Sequence, residues 1–193
     1  LNEMNGPVRV VHIGDSHVRG HVYPLVTRRC LESDFGAEAV YPDSITYRTG
    51  GLAHETGEPG LVYHIMGVNG ATCVTFTKEI AALRPDLIIL SFGTNEAHSR
   101  RYLAPVHEMQ IDRLLSMLKK ACPETVFLLT TPPGAYVGRR RSRVINPRTV
   151  TVSRIIREYA RKHGMAVWDM YTVVGGKTDA CKNWTRNHLL RAD

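Results

Sequence analysis

The chain has 193 residues and a formal net charge of +7, a length that suits one domain with a sizeable core. Its hydrophobic share of 43% and charged share of 22% are those of an ordinary globular protein, which excludes a chain dominated by disorder. No apolar run approaches the ~20 residues of a membrane span. The opening Leu1-Asn2-Glu3 is neither a start Met nor a basic leader, so the chain reads as trimmed, with any export signal removed.

The charge is uneven. Residues 100–193 carry 18 basic and 7 acidic side chains, a balance of +11, while residues 1–60 carry 5 and 8. Such asymmetry fits an anionic polymer as partner, and equally a solvated basic face. Cys30, Cys73, Cys122 and Cys181 contain no CxxC pair, so spacing points to no zinc site, and three complete disulfide pairings stay open. Cys30 and Cys122 stand near the ends of apparent helices, where a cysteine serves as a small buried apolar residue.

In chain order, the β-branched run 8–13 predicts a strand ending at Gly14. Residues 21–31 predict a helix with Leu25, Val26 and Leu31 inward. Residues 61–68 predict a second strand, and 72–83 a helix with Phe76, Ile80 and Leu83 on one stripe. Residues 87–92 are almost wholly apolar, as in a strand covered on both faces. Residues 106–122 give the clearest helix, with Ile111, Leu114, Leu115 and Leu118 at 3 and 4 spacing and Pro123 as its stop. A fourth strand follows at 125–130. A helix at 149–163 turns Val152, Ile155, Ile156 and Tyr159 inward and ends at Gly164. A fifth strand is expected at 165–169. Residues 34–60, turn-rich and too few for a domain of their own, read as a loop insertion with one short hairpin.

Strand and helix alternate five times. This predicts an α/β fold, a parallel sheet with right-handed crossovers and helices on both faces, in a single domain over residues 1–193. In such a sheet the chemistry belongs to the loops beyond the carboxyl ends of the strands. Those loops carry Gly14-Asp15-Ser16-His17, Gly67-Val68-Asn69-Gly70 and Gly93-Thr94-Asn95-Glu96. Together they suit acyl transfer. Ser16 offers a nucleophile, and its own N–H, the Gly70 N–H and the Asn95 amide offer donors to an oxyanion. Taken singly, Ser16 is an ordinary N-cap and Asn95 an ordinary turn residue; the three in order at successive strand ends carry the argument. Asp15 is expected to fix the turn that presents Ser16, and Asp169 to support the last loop. His98 lies on the same rim as a possible substrate contact. His12 and His64, inside strands, are expected in the core, and His17 is too close in sequence to Ser16 to serve it as base.

The loop after the fourth strand holds Arg139, Arg140, Arg141 and Arg143, of which Arg141 is taken as a possible substrate contact that grips carboxylate or phosphate. A nucleic-acid partner is not expected, because aromatic side chains do not interleave the basic run beyond Tyr136 and no reading module is present.

These motifs, with Tyr63-His64-Ile65-Met66-Gly67-Val68-Asn69-Gly70-Ala71 and Gly93-Thr94-Asn95-Glu96-Ala97 in full, resemble the SGNH/GDSL hydrolase family over residues 8–193. The wording is similar to the branch that includes bacterial peptidoglycan O-acetylesterases. The resemblance implies a three-layer α/β/α, flavodoxin-like fold with a five-stranded parallel sheet. It implies a serine esterase without metal or other cofactor, a small ester or acetylated glycan as substrate, and a periplasmic or secreted location. Ser16 matches the family's nucleophile, Gly70 and Asn95 its oxyanion donors. Asp193 matches the carboxylate of a final Asp-x-x-His element, whose histidine falls three positions further on, outside this sequence. The helix that usually follows it would then be missing as well. Two other readings stand beside this one: a lysophospholipase or thioesterase of the same family, and a glycan- or polyanion-binding domain without catalysis.

Overall fold

The computed structural model describes residues 6–20, 22–35, 43–46, 50–53, 59–73, 79–138 and 142–186. Strands β1 (Pro7–Gly14), β4 (Gly60–Gly67), β5 (Leu87–Ser91), β6 (Val126–Thr130) and β9 (Ala166–Trp168) form a parallel sheet in the order β4-β1-β5-β6-β9. Counting these five alone gives the order 2-1-3-4-5 of a flavodoxin-like sheet, whose topological switch lies beside the first strand. All five lie where the apolar runs place them, within two residues at either end. The insertion does contain one hairpin, β2 (Asp43–Thr46) with β3 (Gly50–Ala53), and β3 pairs antiparallel with β4, so the hairpin extends the sheet at its edge.

Side-chain alternation in the strands builds two cores. Val11, Ile13, Ile88 and Leu90 face one side, with α5 (Ala104–Ala121), α6 (Arg148–Lys162) and Ile80 of α3 (Glu79–Ala82) packed over them. Val10, Tyr63, Ile65 and Ile89 face the other, against Val18 of α1 (Ser16–Arg19), Tyr23 of α2 (Val22–Phe35) and Met170 of α7 (Met170–Val173). The α5 stripe Ile111, Leu114, Leu115 and Leu118 is buried as expected, each side chain contributing about 1.5–3 kcal/mol. Pro105 sits in the first turn of α5, where a missing N–H costs nothing.

Several expectations need correction. In α2 the inward anchor is Tyr23, 7% exposed, whereas Val26 is 48% exposed; an aromatic residue seated against the sheet outranks the smaller side chain. Thr72 and Cys73 are not helical, and the described part of that segment's helix is α3 alone; Phe76 lies outside the described residues. Cys30 is exposed rather than buried, and no disulfide joins any of the four cysteines. The long loop after β6 folds back as a small hairpin, β7 (Tyr136–Val137) with β8 (Val144–Ile145). Helices α4 (Thr94–His98) and α8 (Gly176–Arg186), together with α1 and α7, carry too few apolar residues to show a period. No helix among the described residues is long and apolar enough to cross a membrane.

Candidate active site

The strand register brings the three motifs together. Gly14 pairs with Gly67 on one side and with Ser91 on the other. Ser91 in turn pairs with Thr130, and Thr130 with Trp168. Five strands therefore reach one rung, and the chain leaves the sheet from there into the segments that hold Ser16, Gly70 and Asn95. Hydrogen bonds just past the rung hold the exits together: Val68 N–H to the Gly14 carbonyl at 3.1 Å, Asp15 N–H to the Ser91 carbonyl at 3.3 Å, and Thr131 N–H to the Trp168 carbonyl at 3.1 Å.

Ser16 is the first residue of α1 and is exposed. Asp15 caps that helix: its buried carboxylate accepts the His17 N–H at 2.9 Å, the usual service of an aspartate at an N-cap. The same oxygen holds His17 Nδ1 at 2.9 Å, and Thr94 Oγ1 stands 3.4 Å from that nitrogen. Asp15 thus fixes the turn and orients a neighbouring imidazole at once. Gly67 backs onto α1 so closely that a Cβ there would collide with the Arg19 backbone. Gly70 has φ +75 with open space around it, so the need for glycine comes from the backbone conformation, not from crowding.

Asn95 and Glu96, in α4, tie the second and third loops together. Asn95 Nδ2 donates to the Ala71 carbonyl at 2.8 Å. Glu96 is buried, and its two oxygens accept the Cys73 N–H at 3.0 Å and the Gly93 N–H at 2.9 Å. Burial pushes its carboxyl up, opposed by hydrogen bonds from the Cys73 N–H, its own backbone N–H and the Cys73 thiol. Sequence reasoning passed over Glu96; its position three residues after Gly93, where a side chain reaches back to a helix start, was the available signal.

Beneath the rung lies a buried polar chain. His12 Nδ1 meets the Tyr63 hydroxyl at 2.6 Å and its Nε2 meets Ser91 Oγ at 2.7 Å, which also receives the Thr130 hydroxyl at 2.8 Å. Burial lowers the His12 pKa to about 3, so the ring is neutral. His12 and His64 are core residues, as expected. His98 is exposed and faces the Thr94 carbonyl with Nδ1 at 2.7 Å and the Tyr136 carbonyl with Nε2 at 3.2 Å. Asp169 supports its loop. Partial burial alone would raise its pKa, but bonds from Thr172, Arg157 and Thr131, with the Arg157 charge, hold it below the usual carboxylate range. Arg141 and Asp193 lie outside the described residues.

A cleft opens on this rim between α1, α4, α7 and the loop after β6. Asp15, His17, Tyr23, Thr94, Thr131 and Met170 are among its walls. It is small, about 190 Å³.

Comparison with known proteins agrees with this architecture. A peptidoglycan O-acetylesterase structure superposes with a TM-score of 0.73 at 15% identity, over 94% of this chain and 83% of that one. A putative acylhydrolase from Bacteroides fragilis gives 0.58 at 17% identity, over 93% and 77%. An acetyl xylan esterase gives 0.61 at 16% identity, over 86% and 79%. No curated protein sequence matches. The model of the GDSL-like lipase/acylhydrolase family matches residues 13–189, from the end of the first strand through all three motifs, and the chain belongs to that family.

Proposed function

We propose that this protein is a serine esterase that removes short acyl groups, acetyl foremost, from a bacterial cell-surface glycan in the periplasm or outside the cell. The observation that carries the reading is the shared rung at Gly14, Gly67 and Ser91, which sends the Ser16, Gly70 and Asn95 loops out from one point of the sheet. The GDSL-like acylhydrolase family supports the reaction class, and the acetylesterases of like fold support the substrate class.

In this reaction Ser16 Oγ gives its proton to a histidine and attacks the ester carbonyl. The negative charge that develops on the carbonyl oxygen rests on the Ser16 N–H, the Gly70 N–H and the second amide hydrogen of Asn95, the first being engaged by Ala71. The imidazolium then protonates the departing sugar alkoxide. Water, deprotonated by the same histidine, releases the acid from the acyl-enzyme. Asp193 supplies the carboxylate that orients the base, following the family's Asp-x-x-His element. Among the described histidines, His17 is held by Asp15, His98 by two carbonyl groups, His12, His64 and His107 are buried, and His163 caps the end of α6 ahead of β9, at the opposite end of the sheet from the candidate loops; this favours a base from that final element.

The test is hydrolysis of p-nitrophenyl acetate and of O-acetylated glycan by the full-length protein beside Ser16→Ala. Loss of a triad nucleophile costs ~10⁶ in rate. A variant that keeps more than a tenth of the wild-type rate overturns the mechanism.

A further inference from the structure

Behind the loops that carry Gly70 and Asn95, three polar side chains from three separate segments meet in an otherwise apolar core. The Cys73 sulfur, a Glu96 carboxylate oxygen and a ring nitrogen of His107, on α5, lie within 4.8 Å of one another. All three residues are buried, at 4%, 5% and 2% exposure. Phe92, Ile111 and Leu114 of the core line the cavity beside Cys73, and Glu96, which accepts the Cys73 and Gly93 N–H groups, also receives the Cys73 thiol.

His107 is the telling member. Its Nδ1 stands 3.2 Å from the Tyr102 hydroxyl. Its Nε2 is buried and has no hydrogen-bond partner among the described residues. Buried ring nitrogens are ordinarily satisfied, so a lone one calls for an explanation. With Nδ1–H donated to Tyr102, Nε2 carries a free lone pair, and a second nitrogen anchored by an outer hydrogen bond is the arrangement found where imidazole ligates a metal.

We propose that Cys73, Glu96 and His107 form a buried site for a divalent transition-metal ion, with zinc the best match. The donor set decides the class. Thiolate and imidazole favour zinc over magnesium or calcium, which take oxygen ligands. Charge also balances: a Cys73 thiolate and the Glu96 carboxylate neutralise a 2+ ion, with the thiol proton released to solvent on binding. Tetrahedral zinc separates its ligand atoms by roughly 3.3–3.6 Å, so the side chains close in by on the order of 1 Å. Cys73 has room to do so, because it borders a small apolar cavity with Leu90, Phe92 and Ile111. Water supplies the fourth ligand. The ion would pin the segment after Gly70, the α4 helix and α5 to one another. It takes no part in the ester chemistry and does not depend on it.

The experiment uses the full chain, purified in chelator and titrated with Co²⁺ and then Zn²⁺. One Co²⁺ per chain is expected, with a thiolate-to-cobalt charge-transfer band in the near ultraviolet that Zn²⁺ abolishes. Cys73→Ser and His107→Gln should lose the band, and Cys122→Ser should keep it, each with a wild-type far-ultraviolet spectrum. Tyr102→Phe, which leaves all three ligands in place, should weaken binding by about 10–100-fold. Ser16→Ala should bind the ion as the wild type does, which separates this site from the esterase reading. A wild type with no such band, or a band that survives Cys73→Ser, overturns the proposal.

Discussion

Asn95 gives one of its two amide hydrogens to the Ala71 carbonyl at 2.8 Å, so the side chain that would stabilise an oxyanion is anchored to the loop that holds Gly70. The bond fixes which hydrogen remains available and where it points. A donor held in place before reaction costs no reorganisation when charge develops. Asn95→Ala should therefore lower kcat by ~10²–10³ with little change in KM. Steady-state kinetics on p-nitrophenyl acetate read this directly; a raised KM with kcat intact would make Asn95 a residue for binding substrate.

Glu96 works one layer deeper. Its oxygens receive the N–H groups of Cys73 and Gly93, both in buried backbone. Glu96→Ala leaves two donors without acceptors, each costing about 1–3 kcal/mol. Denaturant unfolding should show a loss of about 2–5 kcal/mol, the two terms being only roughly additive. A loss under about 0.5 kcal/mol, the ordinary range for a surface substitution, would mean that the loops keep their form without it.

Two glycines of the second loop make a controlled pair. At Gly70, φ +75 with no atom near a built Cβ, alanine brings only backbone strain, about 1–2 kcal/mol. At Gly67 an added Cβ meets the backbone of Arg19, which cannot step aside as a flexible side chain would. Gly67→Ala should be the more destabilising of the two and should shift α1, and Ser16 with it. Thermal midpoints in the reverse order would show that the β4–α1 contact yields more easily than its distances suggest.

The five parallel strands were legible because each is a short apolar run; 87–92, covered on both faces, shows this most clearly, whereas β9 at the sheet edge leaves Ala166 and Trp168 exposed. The hairpin β2–β3 was legible from its turns, but its place at the sheet edge was not, since its pairing with β4 at Gly50 and Gly51 is set by the fold and not by its own composition. Helices α1 and α4 are 4 and 5 residues long, shorter than the window over which a period can be recognised. Ser16, Gly70 and Asn95 stood out because each follows a strand end, and the rung register explains why those ends coincide. The partnerships that hold them do not follow from spacing. Nothing near Asn95 in sequence names Ala71, and nothing near Glu96 names Cys73. His17 shows the opposite failure: adjacency to Ser16 was an argument against a role as base, but not a guide to its bond with Asp15. Val26 misled because an apolar residue on a helix carries no mark of which neighbour, here Tyr23, takes the inward place.

The buried chain under the site gives the last prediction. His12 is wholly enclosed, between the Tyr63 and Ser91 hydroxyls, and its pKa falls from the usual 6.5 to about 3 because burial penalises the charged ring. The sign follows from linkage. Below pH 6.5 the unfolded chain takes up a proton at this residue that the folded chain refuses until about pH 3. The stabilisation is therefore complete above pH 6.5 and is lost as the pH falls through that window, by about 1.4 kcal/mol per pH unit. Other groups add their own slopes, so the contribution of His12 is best read as a difference. His12→Gln keeps an amide able to bond both hydroxyls and removes the titration. Unfolding free energies measured for both proteins at pH 7.5 and 5.5 should show a smaller drop in the variant by about 1 kcal/mol. The absolute stability of the variant does not enter this comparison, which keeps the test sound even if glutamine packs less well. Equal drops in the two proteins would show that His12 takes up its proton in the folded state, and that the chain from Tyr63 to Thr130 opens to water beneath Ser16.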